Sequence, residues 1–251
     1  MRYEATPDAH PDFKSEREAR IKSFATDEEF RRVSYQWRAM ALERKYMNSF
    51  SWLGRPLIQF PGDVIAVQEL ISAIRPTLVI ETGIAHGGSL ILSASMMKLN
   101  AINGRVIGVD VEIRSHNREA IEKHRLADMI TMYEGSSTDP KIVKQIRGNI
   151  RSDDRVMVFL DSNHTHEHVT SELVAYSDMV SVGSYLVVFD THVEDMPDDY
   201  VWDNRPWGKG NNPKTAVAEW IKNNKNFEID HDVENKVLIT SAPDGFLFRR
   251  F

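Results

Sequence analysis

The sequence predicts a doubly wound α/β fold, with a mostly parallel, Rossmann-like sheet, an N-terminal helical extension and a C-terminal antiparallel hairpin. Three observations predict it. From Thr77 onward, short apolar runs alternate with segments of helical periodicity, the pattern of repeated βα units. The strongest runs end in polar residues, where an open α/β sheet binds its ligands. The 251 residues are 41% hydrophobic and 27% charged, enough to build a sizeable core and too apolar for a disordered chain.

Residues 1–60 are read as the extension and 61–251 as the main domain. The opening MRYEATPDAHPDFKSE lacks a signal peptide's apolar segment. The charged stretch 15–47 carries Phe24, Phe30, Tyr35, Trp37 and Met40. It is expected to form helices outside the sheet, either a solvated arm packing by one face, a dimer contact or a cover for the site. A turn-rich connection at 52–57 leads to Asp63, a helix N-cap by sequence. Val64, Val67, Leu70, Ile71 and Ile74 then follow at helical spacing as far as Arg75-Pro76. Apolar runs at 78–80, 106–109, 156–160 and 185–189, with a weaker one at 130–133, predict strands. Helices are expected near 88–99, 116–126, 139–147, 165–179 and 213–223. The runs at 236–240 and 246–248, around Pro243-Asp244-Gly245, predict the closing hairpin.

Charge and composition exclude several functions. With 31 Lys+Arg against 37 Asp+Glu, the net charge of −6 has the wrong sign for a protein built around a phosphate backbone, so nucleic acid is not an expected partner. No apolar run approaches the ~20 residues of a bilayer helix, so no membrane partner is expected. The absence of cysteine removes disulfides, thiolate metal sites and cysteine nucleophiles, and cytoplasm is the expected location.

The first strand runs into Glu81-Thr82-Gly83-Ile84-Ala85-His86-Gly87-Gly88-Ser89, a glycine loop opening a helix whose N-terminus attracts an anionic group. It is neither G-x-G-x-x-G nor a P-loop, which needs lysine where Ser89 stands; a purely structural turn is the alternative. Asp110 ends the second strand near the ~20-residue offset at which a carboxylate accepts ribose hydroxyls, or else caps a strand end. Glu134-Gly135-Ser136-Ser137-Thr138-Asp139 suits an adenine edge or helix capping equally.

Asp161 and Asp190 follow two further runs. On neighbouring strands ~4.8 Å apart they would share a crevice and require a shared proton or a cation, and a cysteine-free oxygen site suits Mg²⁺. His164 lies at the crevice mouth as a candidate general base. His166 and His168 read as surface helix positions, and His192 follows Asp190 by two. The aperiodic stretch 192–212, with Trp202 and Trp207, reads as a substrate lid or as a surface excursion.

In this order, the strings 81–89, Val106-Ile107-Gly108-Val109-Asp110, Phe159-Leu160-Asp161-Ser162-Asn163-His164 and Val187-Val188-Phe189-Asp190 resemble the cephalosporin hydroxylase / rhamnosyl O-methyltransferase family, from about Trp52 to the C-terminus. The resemblance implies an S-adenosylmethionine-dependent methyltransferase fold. By it, Glu81, Gly83, Gly87, Gly88, Ser89, Asp110, Ser136 and Asp161 line the cofactor, with the glycine loop on its methionine part and Asp110 on the ribose. Asp161 and Asp190 would ligate Mg²⁺, and His164 would stand where metal-dependent relatives place a basic residue. Relatives usually carry an acid or amide beside the second aspartate, whereas here Phe189 and Thr191 flank it; Thr191, Asn163 and Glu194 are candidates for a third ligand. The expected activity is O-methylation of a hydroxyl on a sugar or other small natural-product acceptor, by a protein that self-associates as a homo-oligomer. The alternatives are a non-haem iron oxygenase built on two of His164, His168 and His192 with one aspartate, and an inactive cofactor-binding scaffold.

Overall fold

The computed structural model describes residues 11–202 and 204–251; residues 1–10 of the expected extension and Asp203 of the 192–212 stretch lie outside them. The described residues begin with two helices, α1 (Pro11–Thr26) and α2 (Glu28–Glu43). The Asp27 carboxylate caps α2 by accepting from Phe30 N at 2.9 Å. The inner face of α2 buries Ser34, Arg38 and Ala41, while Phe30, Val33, Trp37 and Met40 stay exposed. A small hairpin, β1 (Phe50–Trp52) and β2 (Arg55–Leu57), follows.

Helix α3 (Pro61–Ile74) is capped by Phe60, without a side-chain bond. Asp63 is therefore not the N-cap its sequence position predicts. It lies in the first turn, and its buried carboxylate reaches across the molecule to accept from the Thr240 hydroxyl and from Ser241 N and Oγ, both at 2.8 Å.

The strands and helices then alternate as β3 (Leu78–Thr82), α4 (Gly88–Leu99), β4 (Arg105–Asp110), α5 (Ser115–Glu122), β5 (Ile130–Glu134), α6 (Pro140–Gly148), β6 (Val156–Leu160), α7 (His166–Tyr176), β7 (Tyr185–Val188) and α8 (Pro213–Trp220). They end with β8 (Phe227–Ile229), α9 (His231–Val237) and β9 (Phe246–Arg249). Among the described residues the main sheet has the order β5-β4-β3-β6-β7-β9-β8. Its first five strands are parallel, and β9 runs antiparallel to both neighbours. Every residue of β3 and β6 is buried, as expected of strands covered on both faces. One face carries Val79 and Phe159 into a core shared with α3 and α4; the other sends Leu78, Ile80 and Leu160 against α7 and α8.

The closing antiparallel pair is real, but its first strand is 227–229 and not 236–240. Residues 231–237 form α9, started by Asp230 accepting from Asp232 N. Val237 and Ile239 spend their apolar side chains on the cores beside α3 and the N-terminal arm, so nothing remains to pair with β9. No helix of the described residues is long and apolar enough to cross a membrane.

Successive strands from β3 run outward through β4 and β5 on one side and through β6 and β7 on the other. The strands are parallel, but the direction in which successive strands are added reverses between β3 and β6, which makes the carboxyl ends of these two strands the ligand crevice.

Candidate active site

Two loops meet at that crevice. Gly83 has φ +88°, and a Cβ there would lie 2.0 Å from the Asp161 carbonyl oxygen; only glycine lets β3 and β6 turn outward so close together. Gly83→Ala is expected to cost about 2 to 3 kcal/mol of stability, read as a lowered melting temperature and a cooperative denaturant transition at lower urea. Gly88 is pressed by Pro56 O, 2.2 Å from where a Cβ would stand, and Gly87 by Ile121. These two glycines thus serve the protein's own packing. Ala85 holds a left-handed conformation at φ 45°. The Asp110 carboxylate stabilises it by accepting from Ile84 N at 2.8 Å and Ala85 N at 3.1 Å. From the other side, Asn117 donates to Ala85 O and Arg55 donates to His86 O and to Asn117. Gly135 N donates to Asp110 O, which brings Ser136 to the same rim, where its hydroxyl meets Thr138.

Glu81 is 2% exposed. The Ser89 hydroxyl donates to one of its oxygens, while Oε2 is buried with no partner among the described residues. Burial pushes this carboxyl up to about 8, against a smaller opposing pull from Ser89. A buried carboxyl with a free oxygen lacks only a cationic donor, and an amino acid's ammonium fits that need. A narrow cavity of about 50 Å³ walled by Pro56, Gly83, Ser89 and Asp161 connects this loop to the second one.

The second loop begins at Asp161, and β6 and β7 are indeed neighbours, so Asp161 and Asp190 converge. An oxygen of each and a ring nitrogen of His164 all lie within 4.8 Å of one another. His164 Nε2 stands 2.9 Å from Asp190 Oδ2. Burial, then the charges of Asp190 and Glu81, raise the Asp161 carboxyl well above its usual range. Burial would raise Asp190 as well, but His164, His192 and Arg205 outweigh it and hold this carboxyl low. One carboxylate is thus charge-compensated and the other is not, which fits a divalent cation between them.

The three residues proposed from sequence as a third ligand all look elsewhere. Thr191 donates to Pro243 O at 2.6 Å, Asn163 caps Thr165, and Glu194 accepts from Gly210 N and Asn212. His164 joins the cluster instead. Phe189 is apolar because it packs edge-on against Phe159 in the core, with centroids 6.0 Å apart. His192 is buried, its Nδ1 against Ser241 O at 3.2 Å. His168 is not a free surface position: its Nε2 lies 3.1 Å from both Ser137 Oγ and Ser162 Oγ. His166 contacts Thr215 and Glu219. His164 and His192 both approach Asp190, at 2.9 and 3.5 Å, but on different oxygens of that carboxylate, and among the described residues only His164 converges with Asp161 and Asp190 on one point.

Sequence reasoning missed Arg55, Asn117, Asp63 and Glu172. Glu172 is fully buried behind the site and accepts from Ser162 Oγ at 2.7 Å; its helical spacing from His168 was the available signal. Trp207 lies edge-on to His164, with centroids 4.6 Å apart, and Trp202 packs against Tyr200 and His192. The tryptophans therefore cover the site's histidines.

The sequence pattern of the family described as Rhamnosyl O-methyltransferase/CmcI matches residues 44–250. The chain belongs to that family. The rhamnosyl O-methyltransferase of Mycobacterium tuberculosis is 34% identical over 191 residues, 75% of this chain and 73% of that protein. Its Mycobacterium leprae counterpart is 29% identical over 207 residues, covering 81% and 84%. Among solved structures, an apo structure of CmcI-N160 superposes with a TM-score of 0.57 at 18% identity, over 81% of this chain and 77% of that one. The O-methyltransferase from Bacillus cereus in complex with SAH gives 0.53 at 16% identity, over 83% and 90%. At these identities the likeness to the two structures is one of fold.

Proposed function

We propose that this member of the rhamnosyl O-methyltransferase/CmcI family is an S-adenosylmethionine-dependent, cation-assisted O-methyltransferase acting on a hydroxyl of a sugar or another small natural product. The observation that carries this reading is the meeting, at one switch point, of the glycine loop with its buried Glu81 and the Asp161–His164–Asp190 cluster. The name of the mycobacterial relatives supports a sugar acceptor. Residues 61–251 are the catalytic unit in this reading and 1–60 an extension. The exposed stripe on α2 supports self-association, and a chain without cysteine suits the cytoplasm.

Bound S-adenosylmethionine supplies an electrophilic methyl carbon, and a divalent cation supplies Lewis acidity that lowers the acceptor hydroxyl's pKa. Glu81 would hold the ammonium group, the 83–89 loop the rest of the methionine part, Asp110 the ribose and Ser136 the adenine edge. Asp161 and Asp190 would hold the cation. With Nε2 donating to Asp190, His164 keeps its Nδ1 lone pair for the hydroxyl proton, and Asp190 then stabilises the imidazolium. Trp207 fixes the imidazole plane and excludes water from it.

His164→Ala is the test. It is expected to lower kcat about 100- to 1000-fold while leaving Mn²⁺ affinity, read by calorimetry, within a few-fold of wild type. Loss of Mn²⁺ binding in this variant would make the imidazole a ligand rather than the base. Trp207→Ala is expected to lower kcat/KM for the acceptor by about tenfold, with S-adenosylmethionine affinity unchanged.

A further inference from the structure

A cavity of about 1050 Å³ lies away from the glycine loop. It lies between the N-terminal arm and the C-terminal segment, with Arg31, Tyr35 and Arg38 on one wall and Lys214, His231 and Asp244 on the other. The topology fixes which end of the sheet it occupies. Strand β8 runs parallel to β7, because both are antiparallel to β9, so α9 departs from the carboxyl edge. Phe246, at the start of β9, pairs with Val187 near the end of β7, which places the preceding 238–245 segment on that edge too. The groove thus opens on the same edge as Asp161 and Asp190, on the side of Asp190 away from the glycine loop. Asp195 lines it and ends the single 3-10 turn that follows Asp190, at ~2 Å per residue about 10 Å away.

Arg38 lines the groove although it is only 5% exposed. Its Nη atoms reach Thr240 O at 3.4 Å and Asp195 at 3.2 Å, but its buried Nε finds no acceptor among the described residues. An oxygen from a ligand would supply one. The charges along the walls already neutralise one another. Lys214 pairs with Asp195 at 2.7 Å and Asp244 at 3.0 Å, His231 lies 3.4 Å from Asp244, and Arg31 donates to Asn235. Such a lining offers interleaved donors and acceptors with little net field, and the Tyr35 ring beneath the Arg38 guanidinium adds a flat apolar surface. That is the chemistry of a neutral polyhydroxylated ring rather than of an anion. Leu238, on the same wall, is held at φ 57° and ψ −52°, a conformation that costs free energy for a branched side chain.

We infer that this groove binds a second, neutral glycosyl unit of the acceptor, next to the one that is methylated, so that the natural substrate is at least a disaccharide. The inference rests on the sugar-acceptor reading above and extends it. The experiment compares a methyl rhamnoside with a methyl dirhamnoside, using the full chain with S-adenosylmethionine and Mg²⁺, and records saturation-transfer NMR of the dirhamnoside without turnover. Wild type should show a KM at least tenfold lower for the disaccharide, and Tyr35→Ala and Arg31→Ala should each bring the two KM values within about threefold. Equal KM values in wild type, or a preference that survives both substitutions, would overturn it. So would displacement of the dirhamnoside by millimolar inorganic phosphate, which would make the groove an anion site. If neither sugar is methylated, the acceptor reading fails by itself. NMR then decides for the groove: dirhamnoside saturation lost in Tyr35→Ala supports it, and no saturation in wild type removes it.

Discussion

Asp161→Asn is expected to lower methyl transfer about 1000-fold, by removing one of the two carboxylates proposed to hold the cation. The same substitution should make the cation-free protein more stable at pH values above the ordinary carboxylate range. Burial and the charges of Asp190 and Glu81 raise the Asp161 carboxyl well above its ordinary range. Between that ordinary value and the raised one, the folded protein holds a proton that the unfolded chain has released, and stability falls as pH rises through this window. Asparagine carries no such cost. In the wild type, millimolar Mn²⁺ should restore the lost stability by binding only the folded state, raising the melting temperature; in Asp161→Asn that rise should be absent. Melting curves at pH 8 with and without Mn²⁺ read both effects. An equal Mn²⁺-dependent rise in the two proteins would remove Asp161 from the cation site.

Glu81→Gln is expected to weaken S-adenosylmethionine binding about 100-fold, the worth of a hydrogen bond to a charged group. Its carboxyl sits at about 8, against an ordinary 4.5, because burial disfavours the charge. The folded protein therefore loses stability as pH rises from about 4.5 to about 8. Glutamine, isosteric and neutral, should raise the melting temperature at pH 8 by about 5 °C or more. A substitution that stabilises the protein while removing ligand binding is the signature of a group kept for function. Below pH 8, binding to the wild type must ionise Glu81. Calorimetry in two buffers of different ionisation enthalpy should thus detect proton release approaching one per site in wild type and much less in Glu81→Gln. Equal release in the two proteins would place the ammonium elsewhere.

The parts of this site that were legible in the sequence are those in which a strand end and its chemistry coincide. Glu81, Asp110, Asp161 and Asp190 each close an apolar run, and parallel pairing of the runs was enough to bring them to one edge. The bounds of α4 were legible as well, because Gly87-Gly88 and Asn100 punctuate a mostly apolar helix. What was illegible depends on partners far away in the chain. Asp63 has the spacing of a cap, yet its acceptors' donors lie at Thr240 and Ser241. The run 236–240 has the composition of a strand, but the cores beside α3 and the arm claim its apolar residues. Gly88 has the spacing of a ligand-facing glycine, but what requires glycine there is Pro56, which crosses over it. His164 was legible as a crevice residue by its place after Asp161, whereas its pairing with Asp190 required the register of β6 on β7.

The proposed methyl transfer requires a cation between Asp161 and Asp190 beside the cofactor. A crystal of the full chain grown with S-adenosylhomocysteine and Mn²⁺, measured for anomalous scattering, locates the metal directly. One strong peak is expected within ligand distance of both carboxylates, ~2.0–2.3 Å, with the thioether sulfur in the same crevice next to Gly83. A peak at His231, Glu234 and Asp244 with none between Asp161 and Asp190 would contradict it.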